Sequence, residues 1–172
     1  FDVKSDKWHI ERNHFNYLME KIKETNNSSC GIYLLGTNWQ MLTSYLQGVT
    51  CVEILNKTIQ YVRRQFPGQE IWFCPHRADR NNIEVNEYLK TEAIQLFDTE
   101  ISVEFDFILK QIQPKCVIGF GSSALYSLCM MFHVPEIYTV KLPFSNKELL
   151  DEYTRIENDY KKNGIRVLDF FK

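Results

Sequence analysis

A histidine and an arginine stand side by side in Pro75-His76-Arg77, and two serines follow two glycines in Gly119-Phe120-Gly121-Ser122-Ser123. Both groups suit a phosphate. Arginine offers a charged fork that matches phosphate oxygens. Histidine can donate a hydrogen bond and, near its ordinary pKa, a proton to a departing phosphate oxygen. The plain alternative for His76 and Arg77 is a solvated turn in which Asp79 pairs with Arg77 or Arg80. Ser122 and Ser123 would bring hydroxyls and free backbone amides to the start of a helix, where the positive end of the helix dipole favours an anion. Helix capping by Ser122 accounts for one serine but for neither the glycines nor Ser123. The stretch lacks the third glycine of the dinucleotide GxGxxG pattern, where Ala124 stands, and it lacks the lysine of a GxxxxGK[ST] loop.

Two weaker signals accompany these. Gly36-Thr37-Asn38 offers a glycine that lets backbone approach a ligand and leaves amides free to donate, or else forms a plain turn. Within Asp98-Thr99-Glu100-Ile101-Ser102-Val103-Glu104, the Glu104 carboxylate suits the two hydroxyls of a ribose. It suits equally well the first turn of a helix, paired with the dipole. His9, His14 and His133 fall within or at the ends of expected helices and read as structural.

The elements that must carry these residues are legible as alternating short apolar and longer amphipathic runs. Strands are expected over Gly31–Leu35, Glu70–Cys74, Ala93–Phe97, Lys115–Phe120 and Glu136–Val140. Helices are expected over Val52–Gln65, Ile83–Lys90, Val103–Gln111, Ser123–Phe132 and Asn146–Lys162. A further amphipathic helix over residues 8–24 places Trp8, Phe15, Leu18, Met19 and Ile22 on one side. Strands that alternate with helices pair in parallel through right-handed crossovers. The expected fold is therefore α/β, a Rossmann-like doubly wound parallel sheet of five or six strands over residues 31–172, preceded by a helix and linker over 1–30. In a 3-2-1-4-5 strand order the switch point falls between the first and fourth strands. The Gly36 loop and the Gly119–Ser123 turn then face each other with His76 alongside, which makes a pocket for a phosphate.

Composition narrows the partners. Twenty Lys and Arg against 22 Asp and Glu give a net charge of −2, which removes the broad positive field of nonspecific nucleic-acid binding. The five cysteines show no CxxC pair and read as reduced core thiols, not as a disulfide framework or zinc site. No stretch approaches the roughly 20 apolar residues of a membrane span. Phe1-Asp2-Val3-Lys4 lacks both an initiator methionine and the apolar core of a signal peptide. A cytoplasmic piece of a longer protein is expected. Asn27-Ser28-Ser29 and Asn56-Lys57-Thr58 fit a glycosylation sequon, a pattern short enough to arise by chance.

The order Leu35-Gly36-Thr37, Pro75-His76-Arg77, Ile101-Ser102-Val103-Glu104 and Ile118-Gly119-Phe120-Gly121-Ser122-Ser123-Ala124-Leu125-Tyr126 resembles the carboxyl-terminal domain of bacterial sialyltransferases. The resemblance is to the lipooligosaccharide sialyltransferase and capsular polysialyltransferase families and spans Ile32 to Pro143. It implies one half of a two-domain GT-B glycosyltransferase that moves sialic acid from CMP-sialic acid to a glycan hydroxyl with inversion and without a metal or other cofactor. It further implies that His76 matches the histidine of the His-Pro motif, which binds the donor phosphate and assists departure of CMP. Ser122 and Ser123 match the paired serines that hold the phosphate. Glu104, Gly121 and the Gly36-Thr37-Asn38 loop lie toward the nucleotide. The local order here is Pro-His-Arg instead of His-Pro, which adds Arg77 to the phosphate ligands. The family's acidic general base sits in a glycine-terminated Asp/Glu motif of the amino-terminal domain, and this chain has no such motif. The implied partners are the donor, the glycan acceptor and that amino-terminal domain, with peripheral association at the inner face of the membrane.

Overall fold

The structure, a computed structural model, describes residue 20 and residues 31–99, 101–132 and 134–171. Except for Glu20, the helix expected over 8–24 lies outside the described residues, as do His9, His14, His133, Cys30 and the Asn27 sequon.

Ile32-Tyr33-Leu34-Leu35 is buried at every position, the pattern of a strand covered on both faces. It forms β1 (Ile32–Leu35) and sits in the middle of the sheet. β2 (Ile71–Cys74), β3 (Gln95–Leu96), β4 (Cys116–Gly119), β5 (Glu136–Val140) and β6 (Arg166–Leu168) complete it. The order is β3-β2-β1-β4-β5-β6, with every neighbouring pair parallel. The fold is the doubly wound α/β sheet that the alternation of runs implied, with its switch point between β1 and β4.

Alternate residues of β1 feed two cores. Ile32 and Leu34 pack with α1 (Trp39–Leu42), α2 (Cys51–Gln65) and α3 (Ile83–Thr91), through Trp39, Ile54, Leu55, Ile59, Val85 and Leu89. Tyr33 and Leu35 pack on the other face with α4 (Val103–Leu109) and α5 (Ala124–Phe132), through Phe107, Leu125, Leu128 and Phe132. α6 (Lys147–Lys162) joins this second core through Tyr160. Beneath α4 the rings of Tyr33 and Phe107 meet edge-on with centroids 4.7 Å apart, an arrangement that adds to simple area burial.

Local chemistry fixes the helix ends. Thr50 and Glu53 form a reciprocal capping box at the start of α2. The Asn82 and Asn146 side chains cap α3 and α6. Ala93 and Gln111 adopt left-handed backbone, with φ of 53° and 54°, just past α3 and α4. The following amides, Ile94 N–H and Ile112 N–H, reach back to the carbonyls of Leu89 and Phe107. These caps explain two departures from the sequence expectation. β3 starts at Gln95 and not at Ala93, and α4 stops at Leu109 and not at Gln111. α1, the 3-10 turn Thr43–Tyr45 that follows it, and the position of β6 were not read from the sequence.

Candidate functional site

Strand register brings the chemistry together. Leu35, the last residue of β1, pairs with Cys74 at the end of β2 and with Gly119 at the end of β4. The loops carrying Gly36, His76 and Ser122 therefore leave the sheet at one level, on both sides of the switch point. They border a cleft of about 440 Å³ whose lining includes Gly36, Pro75, His76, Arg77, Arg80, Thr99, Ser102, Glu104, Ser122 and Ser123. That volume falls in the range of small-ligand sites.

Gly36 makes the crossing of the first two loops feasible. Its N–H donates to the Cys74 carbonyl at 2.8 Å. A Cβ there would lie 2.9 Å from Phe73 Cζ, 3.0 Å from His76 N and 3.1 Å from Cys74 O. The glycine thus serves packing as well as access. On the α1–α3 side the crevice is filled, because the buried Trp39 and Phe120 rings meet with centroids 5.0 Å apart. The cleft accordingly opens on the side of α4 and α5.

His76 is exposed, and its Nδ1 accepts the Ala78 N–H at 3.2 Å. In the neutral ring the proton therefore sits on Nε2, leaving that nitrogen as a donor. Arg77 is exposed and has no ion-pair partner among the described residues. The alternative pairing of Asp79 with an arginine is not what forms. The Asp79 carboxylate accepts the Gln40 N–H at 3.2 Å and the Asn82 side-chain amide at 3.2 Å. Arg80 reaches Asp98 instead, at 3.3 Å, and its buried Nε has no hydrogen-bond partner.

Across the cleft, the Ser122 hydroxyl accepts the Ala124 N–H at 3.3 Å in the manner of a helix cap, and it retains its own proton to donate. The Ser123 hydroxyl makes no hydrogen bond among the described residues. Glu104 is half-buried in the first turn of α4 and faces the cleft, an arrangement that serves either of its two sequence readings. Ser102, at the cap position of α4, makes no side-chain cap bond.

Other sequence candidates lie outside the lining. Asn38 uses its side chain to cap α1 by accepting the Met41 N–H at 3.1 Å. The Thr37 carbonyl accepts the Trp39 N–H. Gly121, with φ of 73°, directs its N–H to Thr139 Oγ1 at 3.3 Å and supports the serine turn from behind. Sequence reasoning missed Arg80, Thr99 and Ser102 as lining residues. It also missed Tyr153 and Tyr160 of α6, which hold the serine turn. Their spacing of seven, which puts both on one helix face, was the available signal.

The cleft also contains a cysteine. Burial pushes the Cys74 thiol far above the ordinary thiol range, with the Asp106 carboxylate adding to the rise. This favours the protonated thiol over the nucleophilic thiolate. The four described cysteines are all free. Among the described residues no group of His, Cys, Asp and Glu is arranged to hold a metal ion, and no helix is long and apolar enough to cross a membrane. No family model, curated protein or solved structure matches the chain.

Proposed function

We propose that the cleft binds the phosphate of a nucleotide sugar and that the chain is the donor-binding domain of a glycosyltransferase. The observation that carries this reading is the meeting of His76, Arg77, Ser122 and Ser123 in one cleft at the reversal of strand order, where doubly wound sheets receive their ligands. The resemblance of the same residues to the bacterial sialyltransferases specifies the donor as CMP-sialic acid.

In this reading the bond between the sugar's anomeric carbon and the phosphate oxygen breaks, and negative charge grows on that oxygen. Arg77 supplies a fixed positive charge. The two serine hydroxyls and the Nε2–H of His76 supply hydrogen bonds. Once charged to the imidazolium, with Nδ1 protonated and released from the Ala78 N–H, His76 can pass its Nε2 proton to the departing phosphate and return to the neutral ring. Donors aimed at developing charge in this way lower the barrier to leaving-group departure. Glu104 accepts hydrogen bonds from ribose hydroxyls. None of the cleft residues is assigned the task of activating the acceptor hydroxyl, which belongs to the amino-terminal domain implied by the resemblance. The chain alone then binds nucleotide without transferring sugar.

Calorimetric titration with CMP, UDP and GDP tests the proposal. CMP is expected to bind more tightly than GDP. Absence of CMP binding, or a preference for the purine nucleotide, would remove the sialyl assignment. A donor domain for another nucleotide sugar would instead prefer UDP or GDP, whereas a noncatalytic binding module would be unaffected by alanine at His76, Ser122 and Ser123.

A further inference from the structure

The turn that carries the serines is gripped from behind. The Tyr160 hydroxyl donates to the Ser122 carbonyl oxygen at 2.7 Å, and Tyr160 is only 6% exposed. Burial pushes this phenol up to about 12, with Tyr153 contributing less, so it remains a donor at any ordinary pH. The Leu125 N–H donates to the same carbonyl at 3.1 Å. One residue earlier, Thr139 Oγ1 takes the Gly121 N–H. The Tyr153 ring lies so close that a Cβ on Gly121 would sit 2.6 Å from its Cε1.

A trans peptide unit is planar, so the C=O of Ser122 and the N–H of Ser123 point in opposite directions. With the oxygen drawn to Tyr160 and into the first turn of α5, the Ser123 N–H is directed out of the helix's N-terminal end. Ser122, Ser123 and Ala124 line the cleft at that end. Neither the Ser122 N–H nor the Ser123 N–H has a hydrogen-bond partner among the described residues.

We propose that Tyr160 is a positioning residue for anion binding, which acts through the Ser122 carbonyl to aim the Ser123 N–H at the ligand. The inference rests on the reading of the cleft as a phosphate site. It adds a residue that touches no ligand, from a helix outside the four loops read in the sequence. Two hydroxyls and one amide then converge on the anion from a single turn, opposite the Arg77 charge.

The test is titration of the 172-residue chain with inorganic phosphate, followed by amide proton and nitrogen chemical shifts. Tyr160→Phe keeps the ring and removes the donor. It is expected to weaken phosphate binding about three- to tenfold, the range of one neutral hydrogen bond, and to reduce the phosphate-induced shift of the Ser123 amide. Tyr138→Phe, which removes another tyrosine hydroxyl outside the cleft, is expected to do neither. Unchanged affinity and an unchanged Ser123 shift in Tyr160→Phe would overturn the inference while leaving the phosphate site intact. Absence of phosphate binding by the unmodified chain would overturn the site reading, and the inference with it. Should Tyr160→Phe not fold, the unmodified chain decides. Phosphate must then perturb the Ser123 amide, whose orientation the Ser122 carbonyl sets, more than the Gly121 amide, whose proton is already held by Thr139, and equal perturbation overturns the inference.

Discussion

The Asp79 carboxylate accepts the backbone N–H of Gln40 at 3.2 Å, tying the loop that carries His76 to the first turn of α1. The same carboxylate holds the Asn82 side chain, and the Asp79 N–H donates to the His76 carbonyl at 2.8 Å. One buried acid thus braces the entire loop after β2. Asp79→Ala leaves two donors without their acceptor and is expected to cost about 1–3 kcal/mol. Urea denaturation checks the loss. Nucleotide affinity, measured on the fraction that remains folded, is expected to fall as well, because His76 and Arg77 lose their support.

Arg77 presents the opposite case. Exposed and unpaired among the described residues, it contributes little to the fold. Arg77→Ala is expected to leave the urea midpoint unchanged while weakening CMP binding by roughly tenfold or more, the value of a charge-assisted hydrogen bond. Arg77→Lys is expected to recover part of that loss, since it restores charge without the planar fork. Calorimetry on the three proteins distinguishes the charge from the geometry.

Two glycines are expected to resist substitution for different reasons. At Gly36 a methyl group meets backbone atoms of Cys74 and His76 at 3.1 and 3.0 Å, so Gly36→Ala must separate the β1 and β2 loops, at a cost of about 1–3 kcal/mol. At Gly121 the methyl group meets Tyr153 at 2.6 Å on a backbone with φ of 73°, so collision and conformational strain combine. Thermal melting is expected to show both losses. Gly121→Ala should in addition impair phosphate binding, because it displaces the serine turn.

Glu157 offers a stabilising change. Burial pushes its carboxyl above the ordinary range, opposed by Lys141 and Lys161 and helped by Asp169. An acid whose pKa rises on folding favours the folded state when protonated. Its stability is complete below the unfolded pKa and declines as pH rises through the folded value. Glu157→Gln removes the charge and is expected to raise the urea midpoint at pH 7. The gain should disappear below about pH 4, where the unfolded carboxyl is itself protonated. A gain of equal size at both pH values would contradict the account.

Periodicity and punctuation were enough to reveal the sheet, because β1, β2, β4 and β5 are apolar runs bounded by turn residues, and α2 and α6 have strong amphipathic spacing. Arg166-Val167-Leu168 is too short for its pattern to announce a strand, and Trp39–Leu42 is a single helical turn whose Asn38 cap looked like part of a ligand loop. The loops that border the cleft followed from topology, since ligands gather where strand order reverses. Pairings within those loops did not follow. Sequence proximity suggested Asp79 beside an arginine, yet the carboxylate turns toward an α1 amide 39 positions away in the chain. Tyr160 is 38 positions from Ser122, and only the packing of α6 against the sheet brings them into contact.

The closure of the switch point by Trp39 and Phe120 has a bearing on traffic. With the α1–α3 side filled by these two rings, a molecule in the cleft exchanges with solvent through the opening toward α4 and α5.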